Sequence, residues 1–230
     1  MAEAEAMRFV ASRASIPVPH VYEAYEKEGI GYIFMSKVEG QTLVKVWKTL
    51  SEDDRAVVVN QLRGCVLPLR DLRGEFYGAL WNRPCEDIFF HHLCIAKPED
   101  QKYKHYKSRK EYNEGLVQAF HNSCPTGSLS NTDKNLAQDI ITLDEECKIF
   151  SHGDFHLYNI LVDESLSVTG IIDWQGAGFS INEWDYLEAM LIARNPAWIQ
   201  ASAEIFPKES QVHYKTFNAF NQALVAYSGF

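Results

Sequence analysis

Apolar residues at Ala6, Met7, Val10 and Ala11 recur at helical spacing and predict a helix over Glu3–Ser12. Ile16-Pro17-Val18-Pro19 then forces the chain to extend. Two β-prone runs, Val21–Tyr25 and Tyr32–Met35, flank Glu26-Lys27-Glu28-Gly29 and predict a hairpin. Gly40 marks a break, and Thr42 can cap a short helix through Leu50. Ser51-Glu52-Asp53-Asp54 opens a longer helix whose acidic first turn suits the helix dipole. Val58, Leu62, Cys65, Val66, Leu69 and Leu72 form its apolar face, and Pro68 within that face should kink or end it.

Between Gly74 and Lys107 the pattern is irregular and predicts a surface loop region with one short strand. Helices are expected over Arg109–His121 and Thr132–Asp144, with Leu116, Val117 and Phe120 facing inward. Lys148-Ile149-Phe150, Ile160–Val162 and Val168–Ile172 read as strands, and Glu183–Arg194 and Glu209–Tyr227 as helices. The order suits a small α+β part joined, around Ser36–Gly40, to a larger and mainly helical part.

Composition narrows the classes. The 230 residues are 46% hydrophobic and 13% aromatic, enough apolar side chain for a packed core, which excludes global disorder. The longest apolar runs, Ala189–Ala193 and Ala223–Tyr227, are far short of the roughly 20 residues that span a bilayer. The acidic start Met-Ala-Glu-Ala-Glu-Ala is unlike a secretory leader, so a cytoplasmic protein without a membrane partner is expected. Cys65, Cys85, Cys94, Cys124 and Cys147 contain no C-x-x-C pair, which argues against structural zinc and against a disulfide framework. With 22 Lys+Arg against 31 Asp+Glu, the net charge of −9 opposes a phosphate backbone. The basic run Lys102–Lys110, which interleaves Tyr103 and Tyr106, reads as a solvated face or loop, and no nucleic-acid partner is expected.

The specific segment is Ser151–Trp174, SHGDFHLYNILVDESLSVTGIIDW. Pairing Ile160 with Ile172 and Val162 with Gly170 in an antiparallel hairpin sets Asn159 opposite Asp173. An amide oxygen beside a carboxylate offers hard ligands suited to Mg2+ and its phosphates. Asp154 stands where it could orient a hydroxyl for in-line attack. A competing metal site, His152-x-Asp154-x-His156, would leave Asn159 and Asp173 without a role.

His152-Gly153-Asp154, with Asn159 five positions on and Ile172-Asp173-Trp174 beyond, resembles the aminoglycoside phosphotransferase and choline kinase branch of the protein kinase-like fold, particularly its fungal-type members. Four fixed residues at about 5% usage would arise by chance in on the order of one chain in a thousand of this length. Glu3-Ala4-x-Ala6-Met7 with Ile16–Pro19 resembles the family's helix C and the connection after it. Tyr32-Ile33-Phe34-Met35 resembles the strand before the hinge, and Glu39-Gly40-x-x-Leu43 the turn after it.

The resemblance implies an α+β, two-lobe kinase-like fold: residues 1–38 as a partial, truncated N-lobe and 39–230 as a mainly helical C-lobe with the catalytic hairpin. It implies an ATP- and Mg2+-dependent transferase acting on a small-molecule hydroxyl. Asp154 would be the catalytic base, Asn159 and Asp173 the metal ligands, and the Ser36 C=O and Val38 N–H the adenine contacts. His152 would buttress the catalytic loop, Asp185 would anchor it from below, and Glu3 would be the helix C glutamate. Glu183, Asp185 and Glu188 would be candidates to line the site of a cationic acceptor. The family's nucleotide-covering loop and strand lysine precede helix C, and neither is found ahead of Glu3. A catalytically inactive pseudokinase or binding module of the same fold is therefore the alternative expectation, and an incomplete gene model of a normal enzyme is a third.

Overall fold

The structure is a computed structural model that describes residues 1–90, 103–191, 193 and 195–228. Helix α1 (Ala2–Ala11) turns Ala6, Met7 and Val10 inward, as its spacing predicts, but the fourth buried position is Ala4, one turn earlier, and Ala11 at the helix end is exposed. Strands β1 (Val21–Lys27) and β2 (Ile30–Met35) pair antiparallel. Each is longer than the apolar runs suggest, because Glu28 and Gly29, both at positive φ, close the hairpin in two residues. Its aromatic side chains stay largely exposed, with Tyr25 stacked on Tyr32 at 5.3 Å.

The helix expected from Thr42 is shorter than predicted. Thr42 is held extended in β3 (Gln41–Thr42), paired with Leu161, so it makes no cap bond, and α2 spans only Leu43–Val46. Helix α3 (Glu52–Asp71) begins with a capping box between Ser51 and Asp54 and buries Val58, Leu62, Cys65, Val66 and Leu69. It runs on through Pro68 to Asp71, at the cost of the one backbone donor that proline lacks. Arg70, on the same buried side, donates to the Asn182 backbone carbonyl and side-chain oxygen, each at 3.0 Å.

The stretch expected as a surface loop supplies core instead. Tyr77, Leu80, Cys85, Phe89 and Phe90 are buried, around β4 (Gly78–Ala79) and a 3-10 turn at Ile88–Phe90. Tyr77 and Tyr106 exchange backbone hydrogen bonds of 2.7 and 2.9 Å. Spacing that obeys neither period 2 nor 3.6 hid this segment, whose aromatics are used one at a time. Cys94 and Lys102 lie outside the described residues. Of the basic run, Tyr106 and Arg109 are buried, so its described part presents no continuous cationic stripe.

Helices α4 (Arg109–Ser123) and α5 (Asn131–Ile141) are capped by Ser108 and Ser130. Strand β5 (Ile149–Ser151) and β4 flank β8 (Gly178–Ser180), a strand the apolar pattern did not announce. β6 (Ile160–Val162) lies between β3 and β7 (Val168–Ile171). Helices α6 (Trp184–Leu191), α7 (Pro196–Ile205) and α8 (Tyr214–Ser228) follow; α7, opened by Asn195 and Pro196, was not expected.

Two apolar clusters organise the interior. The first joins α1, α3 and the β5–β8 segments; the second joins α4, α5 and α8 to Tyr77, Phe89 and Trp184. No helix among the described residues is long and apolar enough to cross a membrane.

Candidate active site

The site is built on the loop between β5 and β6 and on the turn after β7. The register there differs by one residue from the pairing expected: Ile160 faces Ile171, Leu161 faces Gly170, and a bulge brings Val162 opposite Val168. The Ile172 N–H still bonds the Asn159 carbonyl at 2.9 Å, so Ile172 rather than Asp173 stands opposite Asn159, and Asp173 follows at a φ of +64°. Packing sets this register. Gly170 receives the Val38 side chain where a Cβ would collide with it, and β3 pairs along the other edge of β6.

His152 is fully buried at the start of the loop, edge-on to Trp174 at 4.5 Å. Its Nδ1 accepts the Asp154 N–H at 3.2 Å, so Nε2 carries the proton and donates to the Ile172 carbonyl at 3.0 Å. Burial pushes its pKa down to about 4, so it is neutral at physiological pH. Gly153 follows at a φ of +83°, with its α-carbon so close to the Gly176 carbonyl that no Cβ fits. Asp185, buried at the start of α6, accepts the His152 and Gly153 N–H groups at 3.2 and 3.0 Å. Burial nevertheless raises its pKa to about 6, against those two bonds.

Asp154 and Asn159 meet directly. The Asn159 amide donates to the Asp154 carboxylate at 2.8 Å and to its backbone carbonyl at 3.0 Å. The other Asp154 oxygen receives His156 Nε2 at 2.9 Å, while His156 Nδ1 accepts the Tyr158 N–H at 3.2 Å. Partial burial works against the Asp154 charge, but the bonds from His156 and Asn159 outweigh it and hold the pKa below the ordinary range. Asp154 is therefore a carboxylate at neutral pH. Both nitrogens of His152 are committed within the protein fabric, and the 152–156 segment is loop rather than strand, so the His152-x-Asp154-x-His156 metal arrangement does not form. His156, weighed from sequence only as a metal ligand, is a hydrogen-bond partner of Asp154; its position two residues after the Asp was the available signal.

Asp173 is exposed, and its charge reaches Glu3 of α1. Burial, then repulsion by Asp173, raises the Glu3 pKa, and the Trp174 backbone N–H beside it offsets part of the rise. Ser36 and Val38 follow β2. The Ser36 N–H bonds the His20 carbonyl at 2.8 Å, while its C=O and the Val38 N–H take no hydrogen bond among the described residues. Glu183, Asp185 and Glu188 are all buried, so they do not form an open acidic wall for an acceptor. Burial, then the Asp154 charge, raises the Glu188 pKa strongly, which puts Glu188 electrostatically near the site. A cleft of about 540 Å3 opens beside His156, walled by Val44, Trp47, Lys48, Tyr158 and Trp198.

A loop whose Asp and Asn are cross-linked by one amide, anchored from beneath by a buried Asp and followed by a tight Asp-Trp turn, defines the kinase-like phosphotransferase class. Solved structures show the same architecture. A thermostable mutant of aminoglycoside phosphotransferase APH(4)-Ia in its apo form is 15% identical, with 100% of this chain and 82% of that one covered at a TM-score of 0.52. For macrolide 2'-phosphotransferase type I the identity is 14%, the coverage 100% and 74%, and the TM-score 0.57. The streptomycin–ATP–APH(2")-IIa ternary complex gives 15%, 98% and 70%, and 0.58. No curated protein sequence matches the chain. The phosphotransferase enzyme family profile matches residues 1–205, and the chain belongs to that family.

Proposed function

We propose that this chain is an ATP- and Mg2+-dependent phosphotransferase acting on a small-molecule hydroxyl, with residues 1–38 and 39–230 as its two lobes. The observation that carries this is the ionised Asp154 carboxylate, oriented by Asn159 and by His156, which itself lines a cleft of about 540 Å3. Asp154 would accept the hydrogen bond of the acceptor hydroxyl and take its proton as that oxygen bonds to the γ-phosphorus and the β–γ bridging oxygen departs with ADP.

The donor set fits a hard cation. Asn159 uses its amide N–H on Asp154 and keeps its side-chain oxygen free of hydrogen bonds among the described residues, and Asp173 offers an exposed carboxylate. Mg2+ held there would offset the charge of the phosphates. The open Ser36 C=O and Val38 N–H would contact the adenine edge, and Val38, seated on Gly170, ties that contact to the floor of the site. The ATP named in the APH(2")-IIa complex supports this choice of nucleotide. The acceptors named for the relatives, streptomycin among them, support a small hydroxylated molecule. The described cysteines are all free, which suits a cytoplasmic setting.

The test is γ-phosphate transfer from Mg-ATP to a panel of hydroxylated acceptors. Asp154→Ala should lower turnover by roughly 10²–10⁴-fold with nucleotide affinity retained, and Asp173→Ala should remove the Mg2+ dependence of nucleotide binding. Transfer that is unchanged in Asp154→Ala would overturn the proposal. One observation favours a second reading, a non-catalytic binding module: burial and the Asp173 charge raise the Glu3 pKa, which disfavours the ionised form that a helix C glutamate uses in an ion pair. Nucleotide binding without transfer to any acceptor would select it.

A further inference from the structure

Away from the Asp154 site, three side chains converge where the α5–β5 connection meets the starts of α6 and α8. Glu145, Glu183 and His213 each place one ligand atom within 4.8 Å of the others. Glu183 is the unusual member. It is fully buried, and beyond an approach to its own N–H neither carboxylate oxygen has a hydrogen-bond partner among the described residues. The Arg109 guanidinium stands within its electrostatic reach, yet both terminal nitrogens of Arg109 are also buried and unbonded. Both side chains thus keep buried polar atoms without partners among the described residues, and a further polar species bound between the elements that carry them would meet that capacity, since unmet buried polar groups are costly.

We propose that Glu145, Glu183 and His213 form a structural binding site for a divalent cation of the Zn2+ type. One imidazole and two carboxylates are borderline-to-hard donors that suit Zn2+ and leave the fourth tetrahedral position to water. Ligands of tetrahedral zinc sit about 3.4 Å apart, so no pair in the cluster need close by more than about 1.4 Å. The two outer members can supply this, because Glu145 is exposed and His213 half-buried while Glu183 stays fixed. The same exposure provides the entry path. Asn182 donates to Glu145 at 2.5 Å and is itself held by Arg70, which orients the outer carboxylate. Arg109 would donate to the bound water or to the second oxygen of Glu183.

The absence of C-x-x-C pairs does not bear on this site, which uses no cysteine. Its position gives it a role. Glu183 lies two residues before Asp185, so the ion would clip the segment that anchors the catalytic loop to the connection before β5 and to the start of α8.

The test uses the purified full chain, stripped with chelator and titrated with Zn2+ by calorimetry, with thermal unfolding followed in parallel. One Zn2+ per chain and a raised unfolding midpoint are expected. His213→Ala and Glu145→Gln, both at accessible positions, should weaken binding by more than the roughly 10–100-fold that a supporting residue costs. Glu183→Gln should abolish it, while Asp173→Ala should leave it unchanged. Co2+ substituted into the site should give a tetrahedral spectrum without a thiolate band, which excludes Cys147. Absence of stoichiometric uptake, or uptake indifferent to His213→Ala and Glu145→Gln, would overturn the site and leave Glu183 and Arg109 bridged by water alone.

Discussion

Asp185→Asn perturbs the anchor beneath the catalytic loop with almost no change of shape. The carboxylate accepts two buried N–H groups, from His152 and Gly153. An asparagine keeps one acceptor and turns an NH2 toward the other donor, which costs about 1–3 kcal/mol for the orphaned group. Against this, the variant no longer buries a charge, and that relief depends on pH. The folded pKa of Asp185 is raised to about 6 from an ordinary 3.8, so its contribution is complete below the unfolded value and is lost as pH rises through 6. Summed over both titrations, the wild type loses about 1.4 kcal/mol more than the variant between about pH 5 and pH 7.5. Urea unfolding followed by circular dichroism at both pH values measures the difference. Asp185→Asn should be clearly destabilised at pH 5 and close to wild type at pH 7.5. A stability gap that is constant, or that widens with pH, would refute the linkage between burial of Asp185 and the loop it holds.

Gly153→Ala should be more damaging than its size suggests, by about 1–3 kcal/mol of backbone strain plus the displacement of the Gly176 carbonyl; chemical denaturation reports it, and a wild-type midpoint would contradict the close approach. Gly170→Ala should push Val38 off the hairpin floor, weakening nucleotide binding several-fold in calorimetry with little change in helix content; unchanged affinity would detach the hinge contact from this packing. His156→Phe should release one hydrogen bond to Asp154 and shift the acidic limb of the turnover profile upward, because a bond that stabilises the carboxylate is lost. An acidic limb that stays in place would show that His156 does not set the charge of Asp154.

Much of the fold was legible because its signals are local. The Ser51–Asp54 capping box and the period of Val58, Leu62 and Leu69 lie within a few turns of one helix, and α3 forms where they place it. The chemistry of His152-Gly153-Asp154 and Asn159 was legible for the same reason: one loop delivers the Asp and the amide that binds it, five residues apart. Tertiary structure decided what such spacing cannot contain. The hairpin register shifted by one because Val38 and β3, from distant sequence, pack against it. Tyr77 and Phe89 went inside because they pack with residues of α4 and α8, although no periodicity marks them as core. Glu145, Glu183 and His213 lie in three separate connections, and only tertiary packing, with α6 set against α8, brings them within reach of one another. A sequence determines directly the contacts its neighbouring residues can make; contacts between remote residues depend on which surfaces bury together, and that is settled only when the whole chain has packed.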